Sequence, residues 1–407
     1  MNKFRQTLIQ YIKQPLVMVF SLLICCNLFG FVSGIPTIAI AIVSLCIAFI
    51  YLLKNGNFDF AMLMFLLYLP LELLLANPDS RFHSWERMVV FVIMMISVSP
   101  LIQSKFARSF RYQIFQFLLT LIVIASIISF FCYFFGINFM IRNNTNVYEK
   151  AGLFGGLFSH SMILGPMASL ASLLFTYKAF IMNKKWLFVL SSICACAVLF
   201  SASRGSFVAL IIATMFLIYK YADNKQQLLK IYITSIVALA LTYPIWNKAM
   251  SGLEQKQAGN ISKGSMFSSR ESKWTNRIDE FASSPLWGVG FSSINPNANE
   301  YWNKKEGKIE PGSSWLSICS MLGLLGLILI MNVFVRAYKH LFYSNEKYKI
   351  LLLSYLAYFC IHMLIEGYVF AAGSPICVFF WLLIGCCYDN KYLSEEEIND
   401  RTNFGIL

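Results

Sequence analysis

Apolar runs broken by short polar stretches fill most of the chain from Leu16 onward. A membrane-crossing helix needs roughly 20 apolar residues, with a range of about 17–25. Read in order, the runs predict twelve spanning helices, near residues 16–33, 35–53, 58–76, 87–102, 114–135, 152–177, 186–202, 205–220, 229–247, 313–335, 349–367 and 374–388. The two runs flanking Arg204 are short for full spans. The first run follows Lys3, Arg5 and Lys13 and passes straight into the second without a convincing cleavage site, so it reads as an uncleaved helix rather than a signal peptide. One polar stretch, 248–312, interrupts the pattern; loops beyond about 12–15 residues are usually functional or disordered.

The polar breaks set a topology. With the N-terminus inside, Lys54, Lys105, Arg108, Arg111, Lys178, Lys184, Lys185, Arg336 and Lys339 fall on the cytoplasmic side. The short outer loops hold only Arg81, Arg87, Arg142, Lys150 and Arg204. Positive charge inside is the rule for short loops. Both termini are then expected in the cytoplasm and the 248–312 loop outside. The expected organisation is residues 1–247 with nine spans, 248–312 as a periplasmic loop with an amphipathic helix, and 313–407 with three spans and a cytoplasmic tail. Within the loop, Trp274, Ile278 and Phe281 recur at helical spacing, which predicts that amphipathic helix. Pro285–Phe291 reads as a turn-rich re-entrant segment.

Composition agrees. The chain is 58% hydrophobic and 13% charged, with a mean hydropathy of +0.63. Soluble domains average roughly 45–50% apolar and about 25% charged, so this is an all-α polytopic membrane protein. The net charge of +13 sits largely in short loops, so it signals topology and not nucleic-acid binding. All eleven cysteines lie in apolar runs with no C-x-x-C, which argues against disulfides and a zinc site. H-E-x-x-H, P-loop and clustered Asp-x-Asp patterns are absent, and Gly288-Val-Gly290 is only half of a dinucleotide fingerprint.

Candidate chemistry gathers at the expected outer face. Arg204, in Ser201-Ala-Ser-Arg-Gly205, is either a snorkelling arginine or a fixed cation for an anionic substrate, with Ser201, Ser203 and Ser206 beside it. Arg270 and Arg277 lie seven apart on the loop helix. They form either a solvated face paired with Glu271 and Glu280 or part of a diphosphate clamp. His362 and Glu366, at i and i+4, suit an acid–base pair or a satisfied polar pair in a bundle. His160 leans toward packing, with substrate contact as the alternative.

The order S-x-S-R-G, then "SSPLWGVGF", then "PGSSWLSICSMLGLLGL", resembles the bacterial O-antigen polymerase (Wzy-type) and O-antigen ligase superfamily over roughly residues 150–390. That resemblance implies a GT-C-like, metal-independent glycosyltransferase of the inner membrane, acting at the outer leaflet without a cofactor. Its donor and acceptor would be undecaprenyl-diphosphate-linked glycans, with a flippase and a chain-length regulator as partners. It implies that Arg204 and Arg270 hold the diphosphate; from the residues themselves, Arg277 is expected to join that clamp and Glu366, with His362, is the candidate catalytic base for the acceptor hydroxyl. The product would be O-antigen, capsule or exopolysaccharide. Ligases also carry a loop histidine shortly before the next span; here Gly312 stands at that place, and no histidine occurs in residues 248–312. The expected activity is therefore polymerisation of lipid-linked repeats. The alternatives are ligation to lipid A core and, from another class, secondary transport, although no repeated halves are visible.

Overall fold

The structure is a computed structural model that describes residues 15–32, 34, 37–53, 56–140, 153–221, 226, 270–297, 302–303, 307–344 and 348–391. These residues form α1 (Pro15–Leu28), α2 (Thr37–Leu53), α3 (Phe60–Ala76), α4 (Ser84–Val98), α5 (Lys105–Phe134) and α6 (Ser161–Met182). There follow α7 (Trp186–Phe200), α8 (Arg204–Tyr221), α9 (Glu271–Ser283), α10 (Ser314–Phe342), α11 (Lys349–Ile365) and α12 (Pro375–Asp389). Two short antiparallel ladders join loops: β1 (Asn57–Phe58) with β2 (Ile102–Gln103), and β3 (Trp302–Asn303) with β4 (Lys308–Ile309). Four of the described helices begin where a side chain accepts an orphan N–H. Asp59 caps α3 through Met62, Ser104 caps α5 through Ala107, and Ser313 caps α10 through Leu316.

The expectation of twelve membrane spans is corrected. Among the described residues four helices are long and apolar enough to cross a membrane: α5, α6, α8 and α10. Helices α1, α2, α3, α7, α11 and α12 are apolar but shorter than 18 residues. At about 1.5 Å per residue they fall short of a hydrocarbon core about 30 Å thick. The physical reason is that apolar composition reports removal from water, whether into lipid or into protein. Every residue of α12 is buried inside the protein, so the run at 374–388 is a core helix. The run at 152–177 also overstated a helix, since α6 starts only at Ser161, after the His160 cap. The expected ninth span at 229–247, most of the loop before Arg270 and both chain ends lie outside the described residues.

Helix α10 is broken at Gly323, whose φ is +65°. Segment 285–291 fills the break with its own backbone. Val289 N–H donates to Ser320 O at 2.9 Å, Gly290 N–H to Met321 O at 3.1 Å, and Leu324 N–H to Pro285 O at 2.8 Å. Irregular backbone in an apolar setting persists only where protein supplies such partners. The approach leaves no room for side chains: a Cβ on Gly288 would stand 2.2 Å from Met321 O, and one on Gly323 2.4 Å from Leu286 O. From α3, the Tyr68 hydroxyl donates to Leu322 O at 2.7 Å. One turn on, Glu72 Oε2 accepts from Phe291 N–H at 3.0 Å.

At the far end of α12, Arg111 of α5 is fully buried instead of standing in a cytoplasmic loop. Its Nη2 and Nε donate to the two carboxylate oxygens of Asp389 at 2.6 and 3.0 Å, and its Nη1 to Ser99 O and Ile102 O. Gly385 admits the arginine stem, since a Cβ there would lie 2.8 Å from Arg111 Cδ.

Candidate active site

The starts of α6, α8 and α10 meet the end of α11. At the start of α8, Gly205 packs on Ile365, where a Cβ would lie 3.0 Å from Ile365 Cγ2. On the other side of the same turn, a Cβ on Gly165 of α6 would fall 2.6 Å from Ser206 Oγ. At the start of α10, Ser314 donates from both N–H and hydroxyl to Glu366 O, at 3.0 and 2.7 Å. Three helix N-termini around one corner present partial positive charge, which favours an anion there.

Arg270 precedes α9 and reaches into this corner. Its Nη2 pairs with Glu366 Oε1 at 2.5 Å, and its Nη1 donates to Ile365 O. The pair keeps some water access, with side chains 20% and 10% exposed. Arg204 opens α8 immediately before Gly205, partly buried. Ile365 is therefore touched from both sides, by the Arg204 turn through Gly205 and by Arg270 through the carbonyl. The turn itself is tight: Ala202 has φ +52°, and Ser201 Oγ donates to Val198 O at 2.6 Å.

His362 and Glu366 share the end of α11, but their side chains serve different neighbours. The His362 ring is fully buried, with Nε2 3.1 Å from Ser206 Oγ and Nδ1 3.3 Å from the Tyr368 hydroxyl. Ser206 Oγ lies 2.8 Å from Ser203 Oγ, next to Arg204. Both imidazole nitrogens are thus engaged by hydroxyls, while the carboxylate goes to Arg270. A hydrogen-bonded row runs from Tyr368 through His362 and Ser206 to Ser203.

The other two expected residues are engaged by other partners. Arg277 is fully buried; its Nη1 donates to Glu280 Oε2 at 2.9 Å, to Ser320 Oγ at 3.1 Å and to Ser293 O at 3.3 Å. Burial pulls its guanidinium below the ordinary arginine value, and Glu280 pushes it back up. It braces α9 against the broken stretch of α10. α9 forms as the spacing predicts, yet Ile278 is 54% exposed, and Arg277 with Glu280 makes the buried face. His160 caps α6, its Nδ1 accepting from Met162 N–H at 3.1 Å. Sequence reasoning missed Tyr368. Tyr368 follows His362 by six residues across a helix end, beyond any helical spacing rule. Among the described residues, no three His, Cys, Asp or Glu side chains cluster as a metal site needs.

Set beside known families, residues 186–331 match the family described as O-antigen ligase (Wzy_C). The matched stretch includes Arg204 and Arg270; His362 and Glu366 lie beyond it. None of the curated proteins compared matches the chain. Residues 186–331 are thus similar to a family of the superfamily the motifs resemble, and that family's description names ligation, the alternative stated above, rather than polymerisation.

Proposed function

We propose, from the O-antigen ligase domain carried by residues 186–331, that this protein transfers a glycan from a lipid diphosphate to an acceptor hydroxyl. The reaction takes place at the outer leaflet, with guanidinium groups in the place a metal would otherwise fill. The observation that carries the reading is Arg270 seated on Glu366 and Ile365, at the helix end where the Arg204 turn also docks. The acceptor oxygen attacks the anomeric carbon, the bond to the diphosphate breaks, and the electron pair leaves with the diphosphate. That leaving group is an anion and needs cations more than a proton. Arg204, Arg270 and the three helix N-termini supply them, and such preorganised charge is typically worth several kcal/mol.

Glu366 takes the proton of the acceptor hydroxyl. It is paired with Arg270 until a diphosphate draws the arginine away. His362 positions the Arg204 turn through Ser206 and holds Tyr368. Arg277 braces the loop and does not touch the substrate.

Ligation is the first reading because the matched family is described by that activity. Polymerisation is the second, favoured by the absence of histidine from residues 248–312. A glycan gel of a deletion strain separates them. Lipid-linked polymer accumulates if a ligase is lost, and single repeats accumulate if a polymerase is lost. Arg204→Ala and Arg270→Ala are each expected to reach the membrane at normal level and reproduce the deletion pattern. Wild-type glycan in both variants ends the assignment.

A further inference from the structure

A cavity of about 520 Å³ lies beside the Arg270–Glu366 corner. Its walls come from the first turn of α4, from β4, from the first turns of α10 and from the connection between α11 and α12. The volume falls in the roughly 300–1,000 Å³ range of small-molecule sites. It shares a wall with the candidate active site. Gly367, the residue after Glu366, lines it, and so does Tyr368, whose hydroxyl meets His362. Pro311 lines it as well, and a Cβ on Gly367 would strike Pro311 at 2.4 Å, so this wall is thin and closely packed.

Two cations stand in the lining, Arg87 and Lys308. Arg87 is partly buried, with Nη1 3.4 Å from Ser292 Oγ, while Lys308 is exposed and marks where the cavity opens. One carboxylate, Glu86, also belongs to the lining, and its oxygen lies 3.6 Å from His83 Nδ1. The remaining wall is largely apolar or small, from Val369 to Gly373. A planar guanidinium and an ammonium lining one cavity suit phosphate oxygens, and a partly dehydrated cation strengthens that contact.

Transfer needs places for two substrates, and the corner at Glu366 accounts for one diphosphate. We propose that this cavity is the acceptor subsite, where Arg87 and Lys308 recognise a phosphate on the acceptor glycolipid. This rests on the glycan-transfer reading above. It sets the acceptor sugar against Gly367, next to the carboxylate that takes its proton.

The test measures binding of two probes to the full chain in detergent micelles, farnesyl diphosphate and a phosphorylated glucosamine lipid of the lipid A type. If the acceptor phosphate belongs to a second lipid diphosphate, the wild type binds two equivalents of farnesyl diphosphate. The Arg87→Ala/Lys308→Ala variant then binds one, as does Arg270→Ala. If it belongs to a phosphorylated glucosamine lipid, the double variant raises that Kd at least tenfold and keeps the farnesyl diphosphate site. Either result supports the subsite and names its source. Wild-type binding of both probes by the double variant overturns it. Lys308→Glu, at an exposed position, gives the same reading should Arg87→Ala not fold. Wild-type farnesyl diphosphate binding by Arg270→Ala instead overturns the donor assignment, independently of the cavity.

Discussion

Two arginines that look alike in sequence are distinguished by what surrounds them. Arg270 keeps water access and faces a carboxylate it can leave. Arg277 is sealed between Glu280, Ser293 and Ser320. Removing one partner of a fully buried ion pair strands the other, at a cost of about 3–5 kcal/mol. Arg277→Ala is therefore expected to unfold at a markedly lower temperature in detergent, whereas Arg270→Ala unfolds like the wild type and loses activity. An Arg277→Ala protein of normal stability without activity would move that residue into the site. The spacing of seven put both arginines on one helix face and was correct about the helix. It could not reveal that Arg270 precedes the first turn and reaches away, since a residue before a helix is released from helical periodicity.

At the scale of elements, the break in α10 organises the site's surroundings. Its glycines were legible as letters but not as a device. Gly288-Val-Gly290 was set aside as half of a nucleotide motif, and a glycine inside an apolar run carries no signal of a kink. What the letters lacked was the partner backbone, which comes from another element. Gly288 combines φ +84° with a backbone oxygen 2.2 Å from any added Cβ. Gly288→Ala is expected to destabilise by at least ~2 kcal/mol. Gly136 makes the control, because it has φ +68° but open space around it, and Gly136→Ala costs only about 1 kcal/mol. Thermal unfolding of both variants in the same micelle checks the difference; equal shifts would mean that the close approach to Met321 has no energetic weight. The span count failed for a related reason. α12 is as apolar as a membrane helix because protein, and not lipid, surrounds it: α1, α4, α5, α6, α10 and α11 all pack against it.

Across the whole molecule, contacts far apart in sequence decide the assembly. Arg111 and Asp389 are 278 positions apart and form a fully buried bidentate pair. Arg111→Ala is expected to cost about 3–5 kcal/mol, seen as earlier unfolding in detergent, while joint replacement by Met and Leu is close to neutral. Equal losses in the single and double variants would show that the arginine's packing, rather than the stranded carboxylate, sets the cost. A charge rule reading Arg111 as a loop signal had no access to its partner. The broken helix carries a further consequence, for biosynthesis. The ribosome releases Leu286 before Met321, so the arm that mends α10 already exists when the fractured stretch leaves the exit tunnel. The partner amides and carbonyls that the break needs are thus always synthesised before the break itself.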